Sequence, residues 1–205
     1  GCSRRQRQMC IRDSSYTYGD ELSDRSLSWP NIVARELDRE LINLAQPGAS
    51  NHYIFRTAVK NADEFMIVAW SECTRKEYIH NNKLRQVASW YSDPWFTELY
   101  SKRIDERNEF IQTLSYIVAL QKLDKCFQCS TFSNGGLFLK YADDSEVQSW
   151  CELIDKEKFY IGFPDSQMTR WTAGAPTGPG GHPLELGHRR IAQQLLKHRY
   201  LKWIV

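Results

Sequence analysis

The run EFMIVAW, Glu64 to Trp70, puts six apolar residues in a row behind one acid. A strand with one wet face alternates apolar and polar residues; a strand covered on both faces does not. Six residues is also the length of a strand rather than of a buried helix. The run therefore predicts a strand inside a mostly parallel sheet, with helices packed on both of its faces.

The flanks agree. Pro30 sits at a first helical position behind Ser28, and NIVARELDREL (Asn31–Leu41) sets Ile32, Val33, Leu37 and Leu41 on one helical face. LINLAQPGAS (Leu41–Ser50) is a short apolar run stopped by Pro47-Gly48, a strand ending in a tight turn. NHYIFRTAVKNA (Asn51–Ala62) reads as a helix. Beyond the central run, Trp95–Leu123 is predicted as one long helix, with Ile111, Leu114, Ile117 and Val118 in register. KCFQCSTF (Lys125–Phe132) is a further strand, and ELGHRRIAQQLLKHRYL (Glu185–Leu201) a closing helix with Leu186, His188, Ile191 and Leu195 turned inward. Asn134 to Gly181 is irregular, expected as long loops over one edge. Strand and helix alternate, so the expected fold class is a three-layer α/β/α sandwich with a mostly parallel, flavodoxin-like sheet, a single domain over 1–205. In such sheets chemistry gathers in the turns after the strands' carboxyl ends.

Composition narrows the function. Twenty-seven basic residues against 25 acidic ones leave a net charge of +2, with no basic patch, so no nucleic-acid partner is expected. The longest apolar run is far too short to span a bilayer, so no membrane partner is expected either. No signal peptide is visible, which points to a cytoplasmic or virion-associated protein; the chain opens without Met, as a fragment would. Six cysteines in a chain of 205 residues do not form a disulfide framework. The Cys126–Cys129 pair lacks the companion Cys or His pair of a zinc site, and reads as two small residues in a buried strand.

Three strand-end segments carry the chemistry: SSYTYGDEL (Ser14–Leu22), NLAQPGASN (Asn43–Asn51) and GPGGHPLELGH (Gly178–His188). Together and in this order they resemble the SGNH (GDSL-type) hydrolases. That family has a Gly-Asp-Ser-x-Thr-x-Gly-like segment near its N-terminus, a glycine turn after the second strand and a His-Pro near its C-terminus. The Gly-x-Ser-x-Gly elbow of the other large esterase group is absent. The resemblance implies a nucleophile two residues before Thr17 and four before Gly19, which is Ser15; Ser14 is out of register. It implies His182 as general base, followed by Pro183. The oxyanion hole would use the N–H groups of Ser15 and Gly48, with Asn51 orienting the turn or, as expected here, capping the helix behind it.

The chain departs from the family at three places. Pro179 stands where an Asp three residues before the base would orient it, and TAGAPTGPGG (Thr172–Gly181) holds no acid; a main-chain carbonyl is therefore expected in that role, ahead of Asp165 or Glu185. VAWSECTRKEY (Val68–Tyr78) replaces the family's Gly-x-Asn-Asp. Its Trp-Ser-x-x-x-Arg pattern is similar to an environmental and phage-associated branch, in which Ser71 would stand in for the oxyanion Asn and Arg75 would meet an anionic group. Finally, RRQRQMCIRDS (Arg4–Ser14) resembles a translated sequencing adapter, so 1–14 is expected to be an artefactual or disordered lead. Removing Arg4–Ser15 joins Gly1-Cys2-Ser3 to Tyr16-Thr17-Tyr18-Gly19, with Ser3 as nucleophile.

The resemblance implies hydrolysis of a small ester or an O-acylated carbohydrate through an acyl-serine, needing no metal or organic cofactor. The rival is a degenerate relative that binds a glycan or protein without turnover. A nucleotide or phosphate binder is disfavoured, since no Gly-rich phosphate loop follows a strand. Trp90, Tyr91, Trp95, Trp150 and Trp171 could stack on sugars or simply anchor loops.

Overall fold

The structure, a computed structural model, describes residues 8–62, 64–89, 92–131, 134–160, 167–199 and 201. Along the chain come β1 (Gln8–Arg12), α1 (Ser15–Tyr18), α2 (Trp29–Glu36), β2 (Glu40–Asn43), α3 (Asn51–Val59), β3 (Phe65–Trp70), β4 (Lys76–His80) and β5 (Lys83–Val87). They are followed by α4 (Pro94–Arg103), α5 (Glu106–Leu120), β6 (Cys126–Ser130), α6 (Asn134–Lys140), α7 (Ser145–Glu152), α8 (Met168–Trp171) and α9 (Glu185–Lys197). Ser3 lies outside the described residues, as do Trp90, Tyr91 and Asp165.

All six residues of β3 are buried, as an unbroken apolar run requires. The sheet order is β2-β1-β3-β6, every pair parallel. Successive side chains leave a strand on opposite faces. Met9, Ile11, Ile67, Ala69, Phe127 and Cys129 therefore meet α2 and α9 on one side, through Val33, Ile191 and Leu195. Cys10, Met66, Val68, Trp70 and Cys126 meet α3, α5 and α7 on the other, through Ile54, Leu114 and Val147. Each large aliphatic side chain so buried contributes about 1.5–3 kcal/mol against exposure. These two layers hold the strand ends in place.

Several expectations need correcting. Helix α2 stops at Glu36, and Leu41 belongs to β2; Asp38 takes φ 50° there, a backbone turn that no helix continues through. The predicted long helix is two, α4 and α5, because Asp105 caps the second by accepting from Asn108 N–H. Leu186 is not inward but 45% exposed, whereas His188 is fully buried. Part of the irregular segment is helical, in α6, α7 and α8. Of the lead, Gln8–Arg12 is a strand paired on both sides, in the middle of the sheet. The hairpin β4–β5 was not foreseen; it stands apart as a two-stranded antiparallel sheet.

Candidate active site

Strands β1, β2, β3 and β6 all end at one edge, and the loops leaving them are wired together. Asp13, just past β1, is completely buried; its Oδ2 accepts from the hydroxyls of Thr17 in α1 and Thr131 beyond β6. The Thr17 hydroxyl accepts in turn from Trp29 Nε1 at 3.1 Å. Burial pushes the Asp13 carboxyl up to about 6, against the two hydroxyls that favour its charged form. The Asp13 carbonyl accepts from Gln46 N–H at 3.0 Å, which ties the turn after β2 to the start of α1.

Ser15 is the first residue of α1 and 6% exposed. Its N–H, at a helix start, has no intrahelical acceptor, and no partner for it occurs among the described residues. The same is true of the Gly48 N–H, in a turn closed by Ala49 N–H donating to the Gln46 carbonyl. Gly48 holds φ 76°, a left-handed conformation that favours glycine. The two free N–H groups thus belong to loops joined through Asp13 and Gln46.

His182 lies edge-on to Tyr16, ring centroids 5.9 Å apart, beside the turn that bears Ser15. Among the described residues the Ser15 hydroxyl makes no hydrogen bond to it; in apo sites such contacts are often loose. What orients the imidazole corrects the sequence expectation. The partner is a carboxylate, not a main-chain carbonyl: Glu21 Oε2 lies 2.8 Å from His182 Nδ1 and accepts from His182 N–H at 3.0 Å, while Oε1 accepts from Gly180 N–H at 2.6 Å. The Gly180 bond, then those from His182, hold the Glu21 carboxyl below its ordinary range. With Nδ1–H given to Glu21, Nε2 is left as the basic face. Glu185 is instead in the first turn of α9, near Arg189.

The acid went unforeseen because it sits in the segment that follows Ser15, not in the loop before His182. Gly19 ends α1 at φ 77°, and Glu21 follows at φ 68°, so the chain doubles back and aims the carboxylate at the His182 loop. A Cβ at Gly178 would lie 2.6 Å from the Glu21 carboxyl carbon, and one at Gly180 would lie 3.1 Å from Oε2. The glycine-rich approach to His182 is therefore shaped around Glu21, which is the feature a sequence reader could have used. Gly187 works likewise, for its Cβ would stand 2.5 Å from Pro183 Cβ; only glycine lets α9 pass so close behind the loop. His188, one residue on, accepts from Trp29 N–H at 3.2 Å, and burial followed by the nearby His182 lowers it to about 4, so it is neutral.

The other site residues lie deeper. Asn51 is not the cap of α3: Ser50 is, its hydroxyl accepting from Tyr53 N–H. The Asn51 amide bonds both ways to the backbone of Ser71, Nδ2 to its carbonyl at 3.1 Å and Oδ1 from its N–H at 2.8 Å, and Nδ2 also reaches Thr113 Oγ1. Asn51 thus locks the β2 turn to the end of β3. Ser71 is fully buried, with its N–H used in that lock. Arg75 is 5% exposed, with Nε 3.9 Å from Glu72 Oε2.

No protein-family model and no curated protein matches this sequence. Solved structures do. The chain is similar to the crystal structure of TesA, with a TM-score of 0.58 at 9% identity over 97% of this chain and 99% of that one. It is similar to a member of the lipolytic protein G-D-S-L family from Veillonella parvula DSM 2008, with a TM-score of 0.52 at 14% identity over 93% and 96%. A carbohydrate esterase family 2 enzyme of Corynascus thermopiles (Myceliophthora fergusii) that carries a carbohydrate binding domain gives 0.52 at 14% identity, over 99% of this chain and 69% of that one. The parallel sheet and its two helical layers are those of the SGNH (GDSL-type) fold.

Proposed function

We propose that this chain is a serine esterase that cleaves a small ester or an O-acyl group on a carbohydrate. The observation that carries the proposal is the Glu21–His182 pair at 2.8 Å, beside the helix start that bears Ser15. A carboxylate on Nδ1 fixes the tautomer and would compensate an imidazolium, which suits an imidazole that takes up a proton in the reaction. His182 Nε2 takes the Ser15 hydroxyl proton as Oγ bonds to the acyl carbon. The carbonyl π electrons move to oxygen, where the N–H groups of Ser15 and Gly48 receive the charge. Collapse expels the alkoxide, which leaves with the proton from Nε2. Water then repeats the cycle on the acyl-serine and returns the enzyme with a free carboxylic acid. The carbohydrate esterase among the similar structures supports a sugar-borne acyl group as one substrate class. An environmental or phage origin, as the Trp70-Ser71 pattern suggests, fits an enzyme acting on such acylated glycans.

A fluorophosphonate probe followed by peptide mapping tests the nucleophile, and label on Ser15 is expected. With p-nitrophenyl acetate, Ser15→Ala and His182→Ala should lose all enzyme-dependent turnover. Glu21→Gln should keep KM and lose about 10³–10⁴ in kcat, the cost of a wrongly held tautomer. Equal hydrolysis by wild type and the Ser15 and His182 variants would leave the binding-only rival in its place.

A further inference from the structure

The hairpin β4–β5 has no part in the proposed chemistry, yet its root touches the turn that presents Gly48. Ser50 N–H, two residues past Gly48, donates to Gln86 Oε1 at 3.1 Å. As cap of α3, Ser50 could not find an acceptor for that N–H inside its own helix. Gln86 Nε2 donates at 2.9 Å to Glu77 Oε1, and the two residues are direct cross-strand partners in the hairpin. Glu77 is itself fixed. Its side chain is 3% exposed, Arg56 of α3 grips it through Nε at 3.3 Å and NH2 at 3.0 Å, and His52 Nδ1 lies 3.4 Å away. A buried carboxylate held in this way is a firm anchor, because a partner lost would leave a charge uncompensated.

The turn is consequently held on three sides: by Asp13 through Gln46, by Ser71 through Asn51, and by the hairpin through Gln86. We propose that Gln86 is a positioning residue for the oxyanion hole, and that the hairpin acts as an outrigger keeping the Gly48 N–H aimed at the acyl oxygen. This rests on the esterase reading above. An oxyanion donor acts only if it stands within hydrogen-bonding distance of the developing charge, and a displacement of about 1 Å can cost a hundredfold. Gln86 touches no substrate; it acts through Ser50.

The test uses Gln86→Met, which keeps length and removes both bonds, and the exchanged pair Glu77→Gln with Gln86→Glu, which restores an acceptor for Ser50 N–H and a donor between the strands. Steady-state kinetics on p-nitrophenyl acetate and deuterium uptake of the peptide spanning Gly48–Asn51 are read together. Gln86→Met should lower kcat by roughly tenfold to a hundredfold with KM within about twofold, and speed uptake in that peptide. The exchanged pair restores the acceptor for Ser50 N–H but takes the carboxylate from Arg56, so it should recover part of both. Unchanged uptake in Gln86→Met would overturn the latch, and faster uptake with unchanged kcat would overturn its catalytic consequence. A wild type without Ser15-dependent turnover would instead sink the esterase reading, and uptake alone would then decide whether Gln86 holds the turn.

Discussion

At Asp13 the molecule keeps a carboxyl group where water does not reach it. Its folded-state value, raised from 3.8 to about 6, means that the native state holds the proton to a higher pH than the unfolded chain does. The stability this gives is fully present below about pH 4 and is lost as the pH rises through 6, a swing of about 3 kcal/mol by linkage. Asp13→Asn keeps an acceptor for Thr17 and Thr131 but cannot ionise. Thermal unfolding from pH 4 to pH 7.5 should therefore show a midpoint that declines in wild type relative to the variant. Parallel curves would mean that Asp13 does not titrate in this range. Residues of this kind differ in how legible they are. Ser15 and His182 can be proposed from the sequence because their neighbours Thr17, Gly19 and Pro183 mark them locally. Glu21 was missed because its partner is 161 residues away and its aim depends on two left-handed backbone turns.

Among the elements, the loop before His182 is the one most tightly fitted to its neighbour. A methyl group at Gly178 would lie 2.6 Å from the Glu21 carboxyl carbon and 2.9 Å from its Cβ, so both the acid and the turn that carries it must shift. Gly178→Ala should thus pull the acid from the imidazole and cost stability as well. Turnover should fall toward that of Glu21→Gln and the unfolding midpoint should drop; a normal kcat would show that Glu21 can orient His182 from elsewhere. β2, β3, β6 and the main helices were readable because burial leaves its mark on them, an unbroken apolar run in β3 and a helical period in α5; β1, inside the adapter-like segment, was not. Nor was the hairpin. Val87 is the one residue of its two strands that is fully buried, so no apolar period marks them, and Asn81 and Asn82, at φ 50° and 56°, make a tight turn without the glycine that usually announces one.

For the molecule as a whole, the parallel sheet follows from the alternation of strand and helix, but Arg12 contradicts the chemistry of its place. It ends the central strand β1 fully buried, beside the Cys10 thiol, and no guanidinium nitrogen has a properly formed hydrogen bond among the described residues. Burial draws its pKa down. Arg12→Met should raise the denaturant midpoint at constant slope, a gain of about 1–4 kcal/mol. A lower midpoint would show that the charge is compensated after all. Residues 9–14, within the segment resembling an adapter, are thus built into the core, with Arg12 at a place where an apolar residue would serve better. The carboxylate–imidazole pair has a further consequence, in the order of synthesis. Glu21 is made 161 residues before His182. At about 5–20 residues per second that is roughly 8 to 30 s of synthesis. On the mechanism proposed above, the nascent chain is chemically silent until His182 has been made, and termination anywhere before that residue leaves no partial hydrolase behind.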